Sequence, residues 1–188
     1  MTGKTHQALG LALGLGYIVS VSSGYQPATL GAALIGAHFG ALLPDIDQPA
    51  SSFWRSLPFG RVAGELSDPF LKHRNITHSL VGAVIISLLI RYLLSLFPKY
   101  WGINTDIVLA SSMLAYGSHL LSDAFTVEGI PFLFPWKKMM GIPPKPFEGF
   151  RIQTGKWFEN LVIFPAINIL IILLIHLNWD TIKGLMFK

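Results

Sequence analysis

The 188-residue sequence predicts an all-α fold: an integral membrane helical bundle of about five spans, with two long interfacial or re-entrant connections on one side. Three observations carry that expectation. Hydrophobic residues make up 52% of the chain and charged residues only 13%, about half the charged share usual in a soluble domain. The mean hydropathy is +0.53. Apolar runs recur along the whole length, and the side chains best suited to chemistry lie at their ends. No linker divides the chain, so residues 1–188 are read as a single membrane-embedded domain.

A spanning helix needs roughly 17–25 mostly apolar residues. The first segment, Ala8–Ser23, is diluted by Gly10, Gly14, Gly16 and serines. Its basic region is Lys4 alone and its core is weakly apolar, so it is read as a retained span and not a cleaved leader. Ala28–Leu43 is rich in small residues, with His38 its only ionisable group. Gly10/Gly14 and Gly36/Gly40 stand one helical turn apart, a spacing that lets helices approach closely. Leu80–Phe97 contains one charge, Arg91, whose stem can snorkel toward the nearer surface. Ile107–Leu121 is uncharged apart from His119, and Leu161–Leu177 carries no Asp, Glu, Lys or Arg.

Five spans place ten of the fourteen Lys and Arg residues on the side of the N-terminus, which the positive-inside rule assigns to the cytoplasm. The expected location is therefore a cell inner or plasma membrane, crossed several times. The formal charge of +4 is scattered among apolar runs, so the bilayer, and not nucleic acid, is the expected partner. The connections Pro44–Ser79 and Ser122–Asn160 share the N-terminal side. The second holds Pro131, Pro135, Pro143, Pro144 and Pro146 among aromatics, which rules out a continuous helix.

Cysteine is absent, excluding disulfides, thiolate nucleophiles and Cys-based zinc sites and leaving His, Asp and Glu as ligands. Five separate stretches bring such residues to one membrane face. His6 enters the first segment; Asp45 and Asp47 follow the second in LPDID; His73, Arg74 and His78 lead into the third in HRNITHSL. His119 and Asp123 close the fourth in HLLSD, and Glu159 opens the fifth. His119 and Asp123 stand four apart, so on a helix they share a face and can grip one cation. Arg74 and His78 have the same spacing. Asp45 and Asp47 flank one residue and, in an extended segment, point the same way. By contrast, His38 is read as a packing residue, His176 lies near the opposite face, and Glu65 and Asp68 are read as loop solvation or caps.

The blocks Thr5-His6, LPDID, HRNITHS and SHLLSD together resemble the YdjM-like family of inner-membrane-associated, metal-dependent hydrolases, over most of the chain. A fainter likeness exists to zinc-dependent phospholipases C, in a His-x-x-x-Asp pair on a helix and a Glu ligand. The family resemblance implies a metal site made of His6, Asp45, Asp47, His73, His78, His119 and Asp123. Such a set suits zinc, with manganese or iron accepting the same donors, as one ion or two. The expected reaction is hydrolysis of a phosphoester in a membrane lipid or lipid-linked substrate by metal-activated water. Asp47 or Glu159 would accept the proton and Arg74 would hold a phosphate oxygen. A metal-ion or proton transporter and a scaffold with a structural metal stay open beside it. A transporter needs ligands near mid-membrane depth, and a structural site is closed where a catalytic one keeps an open position.

Overall fold

The computed structural model describes residues 1–21, 26–67, 76–98, 101–136 and 138–186. His73, Arg74 and Asp68 lie outside the described residues. The described chain is all-helical, with isolated bridges Thr126–Ile152 and Ile130–Met140 in place of strands. Its long helices are α1 (Gly3–Val21), α2 (Pro27–Gly40), α5 (Leu80–Ser95), α6 (Thr105–Ala124) and α7 (Phe164–Leu177). Between α2 and α5 lie the short α3 (Ser52–Arg55) and α4 (Gly60–Ser67), and α8 (Trp179–Met186) follows α7.

Local chemistry sets these boundaries. Pro27 begins α2 in the first turn, where its missing N–H costs nothing. The Asn104 side chain accepts from the backbone N–H of Asp106 and Ile107 and starts α6. Ser79 caps α5 in the same way, accepting from Gly82 N at 3.1 Å. Pro44 opens a 3-10 turn over Leu43–Asp47, and a second such turn covers Ile76–His78. A π-helical turn, Glu159–Ile163, leads into α7.

Helix α6 is the central post. It packs against α1, α2 and α5, while α7 packs on α1. The interior between these helices combines an apolar cluster of Ile18, Leu30, Ile107 and Val108 with many small and polar side chains. Ala33, Ala37, Ala41 and Ala115 are fully buried, alongside Thr5, Ser111, Ser112 and Ser118. Many bulky aliphatic residues lie on the outside: Val84, Leu88 and Leu93 on α5, and Ile169, Ile172 and Leu173 on α7 are exposed. Large exposed apolar surfaces mark interaction with a membrane or a partner.

The glycine pairs do what their spacing suggests. A Cβ on Gly40 would run into the backbone carbonyl of Ser112, and one on Gly14 would sit 2.6 Å from the Ala37 methyl. At these positions α2 meets the backbone of α6, and α1 meets the alanine methyls of α2, with no room for a further Cβ.

The five apolar segments all become helices, but they are not equally suited to crossing a bilayer. Among the described helices, Glu159–Leu177 is long and apolar enough, and Leu80–Ser95 is apolar but shorter. Polar residues and glycines dilute α1 and α6, and α2 is only 14 residues long.

Substituting Gly40→Ala should separate α2 from α6 and lower the thermal unfolding midpoint in detergent, by about 1–3 kcal/mol of stability. Gly31→Ala is the matched control, since a Cβ there meets nothing within 4 Å; it should leave the midpoint unchanged or raise it.

Candidate metal centre

Alternating helix directions bring the start of α1, the end of α2, the approach to α5, the end of α6 and the start of α7 to one level. His6, Asp45, His78, His119 and Asp123 meet there. Two triads, His6–His119–Asp123 and Asp45–His78–His119, each hold their donor atoms within 4.8 Å of one another, with His119 common to both. The rings of His6 and His119 stack at 3.6 Å between centroids, and His78 meets His119 edge-on at 5.3 Å. His6, His78 and His119 are buried to within 1% of full.

Hydrogen bonding fixes which nitrogen of each ring faces the cluster. His119 Nδ1 lies 2.7 Å from the carbonyl oxygen of Ala41, which can only accept, so this nitrogen carries the hydrogen. Nε2 is then the lone-pair side. The Ser122 hydroxyl donates to the His119 carbonyl and so accepts from His6 Nδ1 at 3.0 Å. In the same way the Thr77 hydroxyl donates to Asp47 Oδ2 at 2.8 Å and accepts from His78 Nδ1 at 3.2 Å. All three histidines thus anchor Nδ1 on a structural acceptor and turn Nε2 inward, as metal-ligating histidines do.

Among the described inward-facing pairs, His6 Nε2 and Asp123 Oδ1 come within hydrogen-bond distance, while those of His78 and His119 stand farther from the carboxylates. His119 Nε2 is buried, makes no hydrogen bond, and lies 3.7 Å from both Asp45 Oδ1 and Asp123 Oδ2. An unmet buried acceptor costs about 1–3 kcal/mol. His78 Nε2 lies 3.6 Å from Asp45 Oδ1 and 3.9 Å from Asp123 Oδ2, and His6 Nε2 is 3.1 Å from Asp123 Oδ1. Burial works against charge on His78, but Asp45 and Asp47 outweigh it and raise its pKa to about 9. Burial likewise opposes ionisation of Asp45, yet His78, His119 and His6 hold its carboxyl below the usual range. The Met1 amino group also pairs with Asp123. The cluster attracts positive charge, and its imidazole and carboxylate donors match the preference of zinc, manganese and iron.

The remaining predicted residues are placed differently. Asp45 and Asp47 do not lie in an extended segment: Pro44 sets a 3-10 turn, which sends them in different directions. Asp45 reaches the cluster, while Asp47 stands behind it on Thr77 and on the Nδ1 side of His78. Trp54 Nε1, donating to Ile46 O at 3.0 Å, pins that turn. Glu159 is buried but outside both triads. Its Oε1 accepts from Thr2 N, Thr2 Oγ1 and Thr5 Oγ1, and its Oε2 accepts from Gly155 N. It clamps the first turn of α1 and so positions His6. His38 packs edge-on against Phe39, and His176 is exposed near the end of α7.

Sequence reasoning passed over three contributors. Thr77 and Ser122 are small hydroxyls whose role depends on tertiary contacts, with no spacing signal of their own. Arg55 lines a cavity of about 320 Å³ together with Asp45, Asp123, Glu128 and Thr154. This polar cleft is the approach from solvent to the carboxylates.

The family profile described as YdjM inner membrane protein matches residues 1–184. The chain is 31% identical to the uncharacterized protein YvsG of Bacillus subtilis (strain 168) over 163 residues, which is 87% of this chain and 88% of that protein. It is 36% identical over 107 residues to the inner membrane protein YdjM of Escherichia coli (strain K12) and of Shigella flexneri. Those two matches cover 54% of this chain and about half, 48%, of each relative. No solved structure matches the chain significantly.

Thr77→Val and Ser122→Ala each remove a hydroxyl that fixes a histidine tautomer without touching an inward-facing donor. Zinc affinity, measured by competition with a chromogenic chelator, should fall about 10–100-fold in each. Unchanged affinity in both would show that the rings are oriented by something else.

Proposed function

The chain belongs to the YdjM inner membrane protein family, and we propose that it is a metal-dependent hydrolase acting on a phosphoester of a membrane lipid or lipid-linked substrate. The observation that carries this reading is the buried His119 Nε2, unmatched by any hydrogen bond and held 3.7 Å from two carboxylates beside an open polar cleft. A closed structural site would have no such approach.

In this reading His6, His78, His119, Asp45 and Asp123 hold one or two divalent ions, zinc before manganese or iron. When bound, the cation supplies Lewis acidity, polarising a phosphoryl oxygen and easing loss of a proton from water. Asp45, which lines the cleft and is the more exposed of the two carboxylates, accepts that proton from the solvent side. Asp47 acts at one remove, through Thr77 and His78, and Glu159 through Thr2 and Thr5. Arg55 at the cleft rim supplies a guanidinium for a phosphate oxygen; Arg74 remains a second candidate for that role.

The same reading has α1, α2, α5, α6 and α7 cross the membrane, with the metal cleft in the cytoplasm. The exposed aliphatic faces of α5 and α7 and the excess of Lys and Arg on the cleft side support it.

Two outcomes test these statements. His119→Ala and Asp123→Ala should each reduce bound metal from one or two equivalents to none and bring lipid phosphoesterase turnover to background, whereas His176→Ala should retain both; turnover by a metal-free variant would sink the mechanism. The chain has no cysteine, so single cysteines report orientation directly. In intact cells a membrane-impermeant maleimide should label Gln26→Cys and spare Ser56→Cys, and the reverse pattern would invert the topology.

A further inference from the structure

The connection between α6 and α7 builds a second feature, one that metal binding does not use. A groove of about 510 Å³ runs between α5 and α6, walled by Leu80, Ala83, Tyr116 and Leu120 and closed from the loop side by Ile130 and Phe132. That volume falls in the roughly 300–1,000 Å³ range of small-ligand sites, yet the walls offer almost only carbon. Next to it lies a basic cavity of about 760 Å³, which shares Met140 and Gly141 with the groove. Three cations, Lys138, Lys145 and Arg151, surround it against two carboxylates, Glu128 and Glu148. Glu128 in turn borders the cleft that holds Asp45 and Asp123. Apolar groove, basic cavity and metal cleft are therefore neighbours in that order, each sharing lining residues with the next.

The loop that makes this series is held by its backbone. Ile130 and Met140 exchange hydrogen bonds at 2.9 and 2.8 Å, Ile142 N donates to Ala124 O at 2.7 Å, and Leu80 N donates to Phe132 O at 3.1 Å. Both anchor points adjoin candidate ligands, since Ala124 follows Asp123 and Leu80 is two residues past His78. Arg151 donates to the carbonyl oxygens of Pro143 and Gly141 and so forms part of the wall. Among the described residues, Lys145 pairs with Glu148 at 3.6 Å, an exposed contact weak enough to be exchanged for a ligand.

We propose that this series binds one anionic phospholipid from the surrounding leaflet. An acyl chain fills the groove between α5 and α6, and the phosphate is received on Lys138 and Lys145, from which it passes to Arg55 and the metal cleft for reaction. Two observations select a lipid as the occupant. The groove is apolar and the cavity beside it carries three cations against two carboxylates, which matches a chain joined to an anionic headgroup. Its α5 wall is also continuous with Val84 and Leu88, which share a helical face with Leu80 and are exposed among the aliphatic residues. The proposal deepens the hydrolase reading by naming the substrate class, and rests on it only for the fate of the bound lipid.

Photo-cross-linking of the full chain in detergent, using phosphatidylglycerol with a diazirine in mid-chain, tests this directly. Adducts should map to Met113, Leu120 or Met140; adducts confined to α2 or α7 would overturn the assignment. Gly117 lines the groove, and a Cβ there meets nothing within 4 Å, so Gly117→Leu fills the space from α6. That variant should lose at least about tenfold in cross-linking yield with metal content unchanged, and a yield equal to the parent chain would count against the groove. Lys138→Glu combined with Lys145→Glu should remove the preference for phosphatidylglycerol over phosphatidylcholine, and a retained preference would overturn the headgroup position. Cross-linking does not depend on turnover. A chain that cross-links at the groove but hydrolyses nothing keeps the lipid site and loses the hydrolase, while metal-dependent turnover without groove adducts does the reverse.

Discussion

The structure turns on a single constraint: three buried imidazoles must each find an acceptor for one ring hydrogen without using the nitrogen that faces inward. Ala41 O, Ser122 Oγ and Thr77 Oγ1 supply those acceptors. Each comes from a different place, namely the residue after α2, the last turns of α6, and the turn before α5. The rings therefore hold their orientation only when all of these elements are docked. A shift of α2 against α6 would detach His119, and a shift of the α5 approach would detach His78.

This dependence explains the composition of the helix interfaces. Ordinary aliphatic packing sets helix axes 8–10 Å apart, and side chains of that size would hold Ala41 away from α6. Glycine and alanine allow Ser112 and Gly40 to touch through their backbones instead. Large aliphatic side chains are buried at Ile18, Leu30 and Ile107, while many of those on α5 and α7 lie on the outside. Exposed apolar faces of this kind suit contact with lipid or another apolar surface, which agrees with the inner membrane family to which the chain belongs. The close helix packing and the geometry of the His and Asp cluster are consequences of one arrangement.

Much of the site was legible because it follows from helix register. His119 and Asp123 share a face on any continuous α6, and segment ends that alternate in direction must meet at one level. Asp45 and Asp47 were not separable in this way. Their different roles depend on the 3-10 turn begun by Pro44, and an extended reading aims both in one direction. Glu159 presents another difficulty. A carboxylate at a helix start among presumed ligands looks like one more ligand, and only the hydroxyls of Thr2 and Thr5, 154 or more residues away, reveal a clamp. Span number was also only partly legible. Polar residues and glycines dilute α1, and α2 is only 14 residues long, so neither gives the signal that Glu159–Leu177 gives.

The position of the cluster bears on the choice between hydrolysis and transport. A transported cation needs a succession of ligands across the membrane, or a gap through which it can leave on the far side. Inward from His119 the interior consists of Ala41, Ala37 and Ala115, all fully buried. The nearby hydroxyls of Ser111 and Ser112 already donate to the carbonyl oxygens of Ala33 and Val108. The two histidines farther along, His38 and His176, lie on separate elements, one against Phe39 and the other exposed. Opposite this closed side the cleft is open, and it is lined by Asp45, Asp123 and Arg55. A cation held here has one polar approach and a wall of touching helices behind it. That asymmetry favours a centre that receives a substrate from the cleft over one that passes its ion onward.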